Sequence, residues 1–305
     1  MALAGDIAHV AIIGLGLIGS SIARAAQERL PAIRLTGYDA DPVVRAESRE
    51  LGFCDQVADD PVAAVDGADL VILAVPVGRM AAAAQAMAAG LKAGAIVSDV
   101  GSSKASVADA LRRALPDHII IPAHPVAGTE NSGPAAGFAT LFDQRWCIIT
   151  PQAQDSEEAV RKLRDFWQAL GAKVEEMDPA HHDLVLAVTS HLPHLIAYTI
   201  VGTASELEEV TESEVIKYSA GGFRDFTRIA ASDPVMWRDI FLNNKDAVLN
   251  TLQRFNEDLT MLQQAIRRGD GDKLEAWFQR TRAIRRSIIA EGQDDPAPDF
   301  GRRNR

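Results

Sequence analysis

The stretch HVAIIGLGLIGSSIARA, His9 to Ala25, decides how the rest of the chain is read. His9 to Gly14 is an apolar run of strand length that ends in glycine. Gly14, Gly16 and Gly19 then follow in G-x-G-x-x-G spacing, and the apolar residues beyond them recur at helical intervals. A strand, a glycine turn and a helix start in that order form a cradle for a pyrophosphate. Gly14 permits the tight turn, Gly16 lets the ligand approach the backbone, and Gly19 lets helix and strand pack closely. Leu15, Leu17 and Ile18 complete the loop, and the N–H groups at a helix start attract anions.

An acidic residue is expected about 20 positions further on in such a unit. Asp39, in GYDADP, meets that need at the end of a second apolar strand, RLTGYD. Its carboxylate can accept hydrogen bonds from both ribose hydroxyls of an adenosine and would repel a 2′-phosphate. Ala40 and Asp41 follow it where an arginine would favour the phosphate, so the expected cofactor is NAD rather than NADP.

The alternation continues. Helix DPVVRAESRELG is followed by strands ADLVILAVP and AIVSDVG, helix SKASVADALRRAL and strand HIIIP (His118 to Pro122). Strand WCIIT, a helix over 155–170 and a last strand, AKVEEMD, complete this part. Strands that are apolar throughout and separated by helices mean an α/β fold with a doubly wound, mostly parallel sheet of Rossmann type. After Asp178 the pattern changes to long helical segments with no strand. The expected division is a NAD-binding domain over 1–178, an all-helical domain over 179–292, and a polar, proline-containing tail over 293–305 that reads as disordered.

In open sheets of this kind ligands lie outside the carboxyl ends of the strands. The loops there contain Val75 and Pro76 in AVPVG, Gly101 and Ser102 in DVGSSK, and the unusual AHPVAGTENSG, Ala123 to Gly133. A histidine delivered to that edge stands where a nicotinamide ring is expected. Hydride removal from an alcohol carbon needs a base for the hydroxyl proton, and a neutral imidazole such as that of His124 is suited to it. Ser102 can hold the imidazole or the substrate hydroxyl.

The helical half has its own polar concentration. TSHLPHLIAY places His191 and His194 on one helix face, with Pro193 removing a helical hydrogen bond between them. AGGFRDFTRIAASDPVMWRD gathers Gly221, Gly222, Arg224, Asp225, Arg228 and Trp237. Arginines beside glycines and aromatics suit an anionic substrate, since a guanidinium binds a carboxylate bidentately.

Together GLGLIGSSIARA, DVGSSK, HPVAGTE, SHLPH and GGFRDFTRIAASDPVMWRDIF resemble the prephenate/arogenate (cyclohexadienyl) dehydrogenases of tyrosine biosynthesis, over about residues 8 to 290. The resemblance implies NAD-dependent oxidative decarboxylation of prephenate or L-arogenate. His124 then matches the catalytic histidine, and Ser102 the serine that hydrogen-bonds near it and the substrate hydroxyl. Arg228 matches the carboxylate-binding arginine and His194 a residue near the substrate side chain. Thr129 and Glu130 match a polar loop over the site, and Trp237 a substrate-side aromatic in a segment shared between subunits. The resemblance also implies a homodimer through the helical domain, and L-tyrosine as an inhibitor at the active site. A chorismate mutase or ACT domain, carried by some relatives, is not expected here.

Composition narrows the partners. A net charge of −11 over 305 residues, from 31 Lys and Arg against 42 Asp and Glu, gives no basic surface for nucleic acid. Two distant cysteines, Cys54 and Cys147, read as buried thiols of a reducing cytoplasm, and no metal site is expected. The N-terminus lacks the pattern of a signal peptide. No stretch reads as the roughly 18 apolar residues of a membrane span, so no membrane association is expected. Two rivals are weaker. A β-hydroxyacid dehydrogenase would use Lys245 and Asn250 of KDAVLN but lacks the glycine-rich lead-in and leaves HPVAGTE unexplained. A non-catalytic NAD sensor leaves Ser102, His124 and the arginines without a task.

Overall fold

The computed structural model describes residues 7–129, 131–208 and 221–290. They fall into two compact units, Met1–Val248 and Leu249–Arg305.

The first unit is built on a six-stranded sheet in the order β3-β2-β1-β4-β5-β6. The strands are β1 (His9–Ile13), β2 (Arg34–Tyr38), β3 (Gln56–Val57), β4 (Leu70–Leu73), β5 (Ile96–Asp99) and β6 (Ile119–Ile120). Every pairing is parallel, as the uniformly apolar strands require when both faces are covered. The helices are α1 (Leu17–Arg29), α2 (Pro42–Leu51), α3 (Pro61–Val65), α4 (Met80–Met87) and α5 (Ala105–Ala114). Side chains alternate across the sheet. Val10 and Ile12 of β1 enter one core with Ile22, Leu70 and Ile72, while Ala11 and Ile13 enter the other with Val71, Leu73, Met80 and Leu111.

The sequence places all strands in one sheet; the structure has a second. Strand β7 (Ala123–Pro125) pairs antiparallel with β8 (Trp146–Ile149), which pairs parallel with β9 (Lys173–Glu176). The apolar run His118–Pro122 is therefore not a single strand ending in a loop. The Ile121 N–H still donates to Val97 of the first sheet at 3.0 Å, whereas the Pro122 carbonyl accepts from Thr150 of the second at 2.9 Å. Proline has no N–H to continue a ladder, so the chain changes sheets there. Helix α6 (Glu157–Ala169), capped by Ser156, adds Leu163, Phe166 and Trp167 to the first core.

Beyond Asp178 the described residues are helical: α7 (Pro179–Leu186), α8 (Leu192–Glu208), α9 (Gly221–Thr227), α10 (Pro234–Asn243), α11 (Lys245–Arg268) and α12 (Gly271–Ala290). A π-helical turn, Ala187–His191, joins α7 to α8 just before Pro193. That is the disruption expected where proline removes a donor; such turns recur at functional sites. The segment from Asp233 onward reads as one helix but breaks at Asn244, whose side chain is used elsewhere. The run Pro179–Glu206 corrects one expectation: with mean hydropathy 1.6 it is long and apolar enough to cross a membrane by length and composition. The window that passes is 28% buried, and this run bonds its buried His182 and Asp183 to other protein groups.

Candidate active site

The glycine loop meets its steric purpose. Gly14 has φ +102°, and a Cβ there would lie 2.4 Å from the Ala74 carbonyl oxygen. A Cβ on Gly19 would lie 1.9 Å from the Gly14 oxygen, whereas one on Gly16 would meet nothing within 4 Å. The loop is closed where Gly14 and Gly19 pack and open at Gly16, before the start of α1, which carries Leu17 and Ile18. Asp39 is tied to it: one carboxylate oxygen accepts from the Leu15 N–H at 2.9 Å and the other from Asp41 at 2.9 Å. Val75, Pro76 and Gly101 follow β4 and β5 at the same edge.

His124 lies on β7, and 8% of it is exposed. Its Nδ1 is 2.9 Å from Nε2 of His182, whose Nδ1 is 2.9 Å from Oδ1 of Asp183. A carboxylate only accepts, so the proton on His182 is at Nδ1 and its Nε2 accepts. His124 must then donate through Nδ1, which leaves Nε2 with a free lone pair. Burial, followed by the neighbouring His182, Lys104 and His191, holds the His124 imidazole well below the ordinary histidine value. Burial also lowers His182 against its bond to Asp183. Both rings are neutral near pH 7, as this assignment requires.

Asp183 reaches further. Its carboxylate accepts from the backbone N–H groups of Lys104 at 2.7 Å and Ala105 at 3.0 Å, capping α5 from a distant part of the chain. Its carbonyl accepts from the Asn244 side chain at 2.8 Å. The same amide nitrogen lies 3.0 Å from Nδ1 of His191, which is fully buried. The ring of His191 faces the Ser102 carbonyl, and burial lowers it to about 4. Ser102 lies half-buried in a loop whose far end, at Lys104 and Ala105, is held by Asp183 of α7.

His194 donates from Nδ1 to the Ser190 carbonyl at 2.8 Å and stacks on Trp237, with ring centroids 3.6 Å apart and planes 24° apart. Burial, with the nearby Arg228 cation, holds its imidazole below the usual value. Arg228 stands exposed on the turn after α9. Gly221 and Asp225 are exposed on α9, and Thr129 is exposed with its hydroxyl turned to the Asn131 N–H at 3.2 Å. These three are not part of the buried cluster. Glu130 lies outside the described residues.

Sequence reasoning missed Asp99, Lys104, His182, Asp183, Asn244 and Asp239. The pair His182–Asp183 stood in a helical run that offered no signal beyond two adjacent polar residues. Asp239, on α10, would lie 2.6 Å from a Cβ on Gly78; it marks where the helical part packs against the loop after β4.

The strand order and glycine loop define a nucleotide-binding dehydrogenase fold, and the buried imidazole at the sheet edge fits that class. The family model for the prephenate dehydrogenase nucleotide-binding domain matches residues 22–176, and that for the prephenate dehydrogenase dimerization domain matches 178–280. The chain belongs to the prephenate dehydrogenase family. The cyclohexadienyl dehydrogenase of Zymomonas mobilis is 47% identical over 280 residues, which cover 92% of this chain and 96% of the relative. The prephenate dehydrogenase of Bacillus subtilis is 34% identical over 278 residues, 90% of this chain and 75% of the relative. Among solved structures, prephenate dehydrogenase from Aquifex aeolicus in complex with hydroxyphenyl propionate and NAD+ aligns with TM-score 0.87 and 32% identity, over 94% of this chain and 100% of that one.

Proposed function

We propose that the chain catalyses the NAD-dependent oxidative decarboxylation of prephenate or L-arogenate, giving 4-hydroxyphenylpyruvate or L-tyrosine, CO2 and NADH. The observation that carries this reading is the chain Asp183–His182–His124, which leaves Nε2 of His124 as an unprotonated acceptor in a buried site.

The residues fit the coenzyme: the open space above Gly16 suits the pyrophosphate, and the braced carboxylate of Asp39 suits the adenosine ribose. When bound, NAD supplies the hydride acceptor. His124 Nε2 receives the proton of the ring C4 hydroxyl as the C4 hydride departs. The carbon–carbon bond to the ring carboxylate then breaks, its electron pair makes the ring aromatic, and His124 returns the proton to the ring oxygen. Ser102 holds the hydroxyl beside His124. Arg228 orients the anionic substrate, and His194 and Trp237 border its side chain, with the buried His191 packed behind Trp237 and with Thr129, Asp225 and Gly221 around the entrance. General-base help of this kind is typically worth about 10²–10⁴-fold. Residues 1–178 serve the coenzyme and 179–292 the substrate and a second copy of the chain. L-tyrosine, which carries the arogenate side chain on an aromatic ring, would compete for the same pocket.

The test is NADH formation by purified protein, offered prephenate and L-arogenate separately, each with NAD and with NADP. Turnover of either substrate is expected, and turnover of neither by protein that binds NAD sinks the reading. His124→Asn is expected to lose most turnover while keeping NAD affinity; near-normal turnover would remove the base assignment. Arg228→Ala is expected to raise the Michaelis constant for substrate.

A further inference from the structure

Ala123 precedes His124, and both polar groups of its backbone are held by one buried ion pair. The ladder to β8 runs through the neighbouring Pro122 carbonyl and Val126 N–H, which leaves Ala123 free to bond on the other side. There its N–H donates to Asp99 Oδ1 at 3.3 Å, and its carbonyl accepts from Lys104 Nζ at 2.6 Å. The Lys104 ammonium also pairs with Asp99 Oδ2, which accepts from the Gly101 N–H at 2.7 Å. Both side chains are 0% exposed. Asp99 ends β5, and Lys104 closes the loop that contains Ser102.

Such a pair is weak evidence for stability, because apolar residues of the same shape often do as well. Its geometry has a different consequence. It joins the strand that bears His124 to the loop that bears Ser102, across two different sheets. We propose that the Asp99–Lys104 pair is a positioning device for the reaction, fixing the Ala123 peptide and thereby the His124 imidazole against the Ser102 loop. This rests on His124 being the base.

The pair also acts through charge. The titratable groups acting on the His124 imidazole are His182 of α7, Lys104, and His191 of the π-helical turn, with Asp183 bonded behind His182, Asp99 behind Lys104, and Cys147 of β8 beside the His124 backbone. Burial is the largest cause that disfavours the protonated imidazole, followed by His182, then Lys104 and His191. Removing the Lys104 charge takes away one of these and raises the pH at which His124 takes up a proton.

The experiment compares Lys104→Met, the double variant Asp99→Asn/Lys104→Met and His124→Asn with the parent, using prephenate and NAD. Lys104→Met is expected to lower kcat about 10- to 100-fold, the cost of a misplaced catalytic group. The Michaelis constant for NAD is expected to change little, and the acid limb of kcat/KM to move to higher pH. The double variant leaves no unpaired buried charge and keeps the test available if Lys104→Met does not fold; the same losses are expected of it. A folded variant with parental kcat and an unmoved acid limb overturns the proposal. If His124→Asn itself turns over normally, the base assignment falls and takes this inference with it. If His124→Asn is inactive while both Lys104 variants behave as the parent, only the inference falls.

Discussion

The Nδ1 of His124 lies 2.9 Å from the Nε2 of His182, and the two rings meet edge to face with centroids 5.1 Å apart. Because Asp183 fixes the proton on the far nitrogen of His182, this contact places the His124 proton on Nδ1 and leaves Nε2 as the acceptor. His182→Leu or Asp183→Asn is therefore expected to cut kcat by about 10²-fold or more, since a base held in the wrong tautomer loses its function. Steady-state kinetics check this, with NAD binding as the control for folding. Parental kcat in a folded His182→Leu protein would show that the tautomer is set elsewhere.

Stability should fall on mild acidification. His9, His124, His182, His191 and His194 all lie below their ordinary value, with burial the largest cause in each. The unfolded chain therefore binds these protons more readily than the folded one. The stability linked to the neutral rings is complete above the unfolded value of 6.5 and is lost as pH falls towards about 4, where His191 itself protonates. Each such group contributes a slope of up to ~1.4 kcal/mol per pH unit. Tm measured across this range should decline, and less steeply in a folded His191→Asn variant.

Gly137 is expected to tolerate no side chain. A Cβ there would lie 2.1 Å from the Ser20 hydroxyl and 2.9 Å from the Ser21 N–H on α1, where Phe138 already donates to Ser21 Oγ at 3.1 Å. Gly137→Ala should cost about 1–3 kcal/mol as an overpacked contact, and it should raise the Michaelis constant for NAD by displacing the second turn of α1. Thermal unfolding and coenzyme titration measure the two effects separately.

Asp39→Ser should relax coenzyme choice. The change removes the charge that repels a 2′-phosphate and also the acceptor for the Leu15 N–H. The ratio of kcat/KM for NADP over NAD is expected to rise about 10- to 100-fold. An unchanged ratio would place discrimination at another residue.

The first sheet was legible because its evidence is local. β1, the three glycines and Asp39 lie in one unit whose spacing carries its own physics, and the parallel order followed from apolar strands between helices. The second sheet was not, because HIIIP is continuous in composition and only the missing N–H of Pro122, with partners near Thr150, divides it. The loop chemistry singled out His124 from the sequence, and the structure places it on β7 in a buried cluster. His182 and Asp183 were not, since their importance depends on contacts to residues 58 and 79 positions away. A helical period shows which face is apolar, but not which polar residue on the other face meets a distant strand.

The change of sheets at Pro122 separates two demands that an active site makes on one chain. The imidazole is part of a strand that pairs with β8 on one side and is held at Ala123 by Asp99 and Lys104 on the other. The long connection that leaves the ladder after Val126 passes α1 through its short helical turn at Pro134–Ala136 before returning to β8. A lineage could lengthen, shorten or recolour that connection while the imidazole keeps its address.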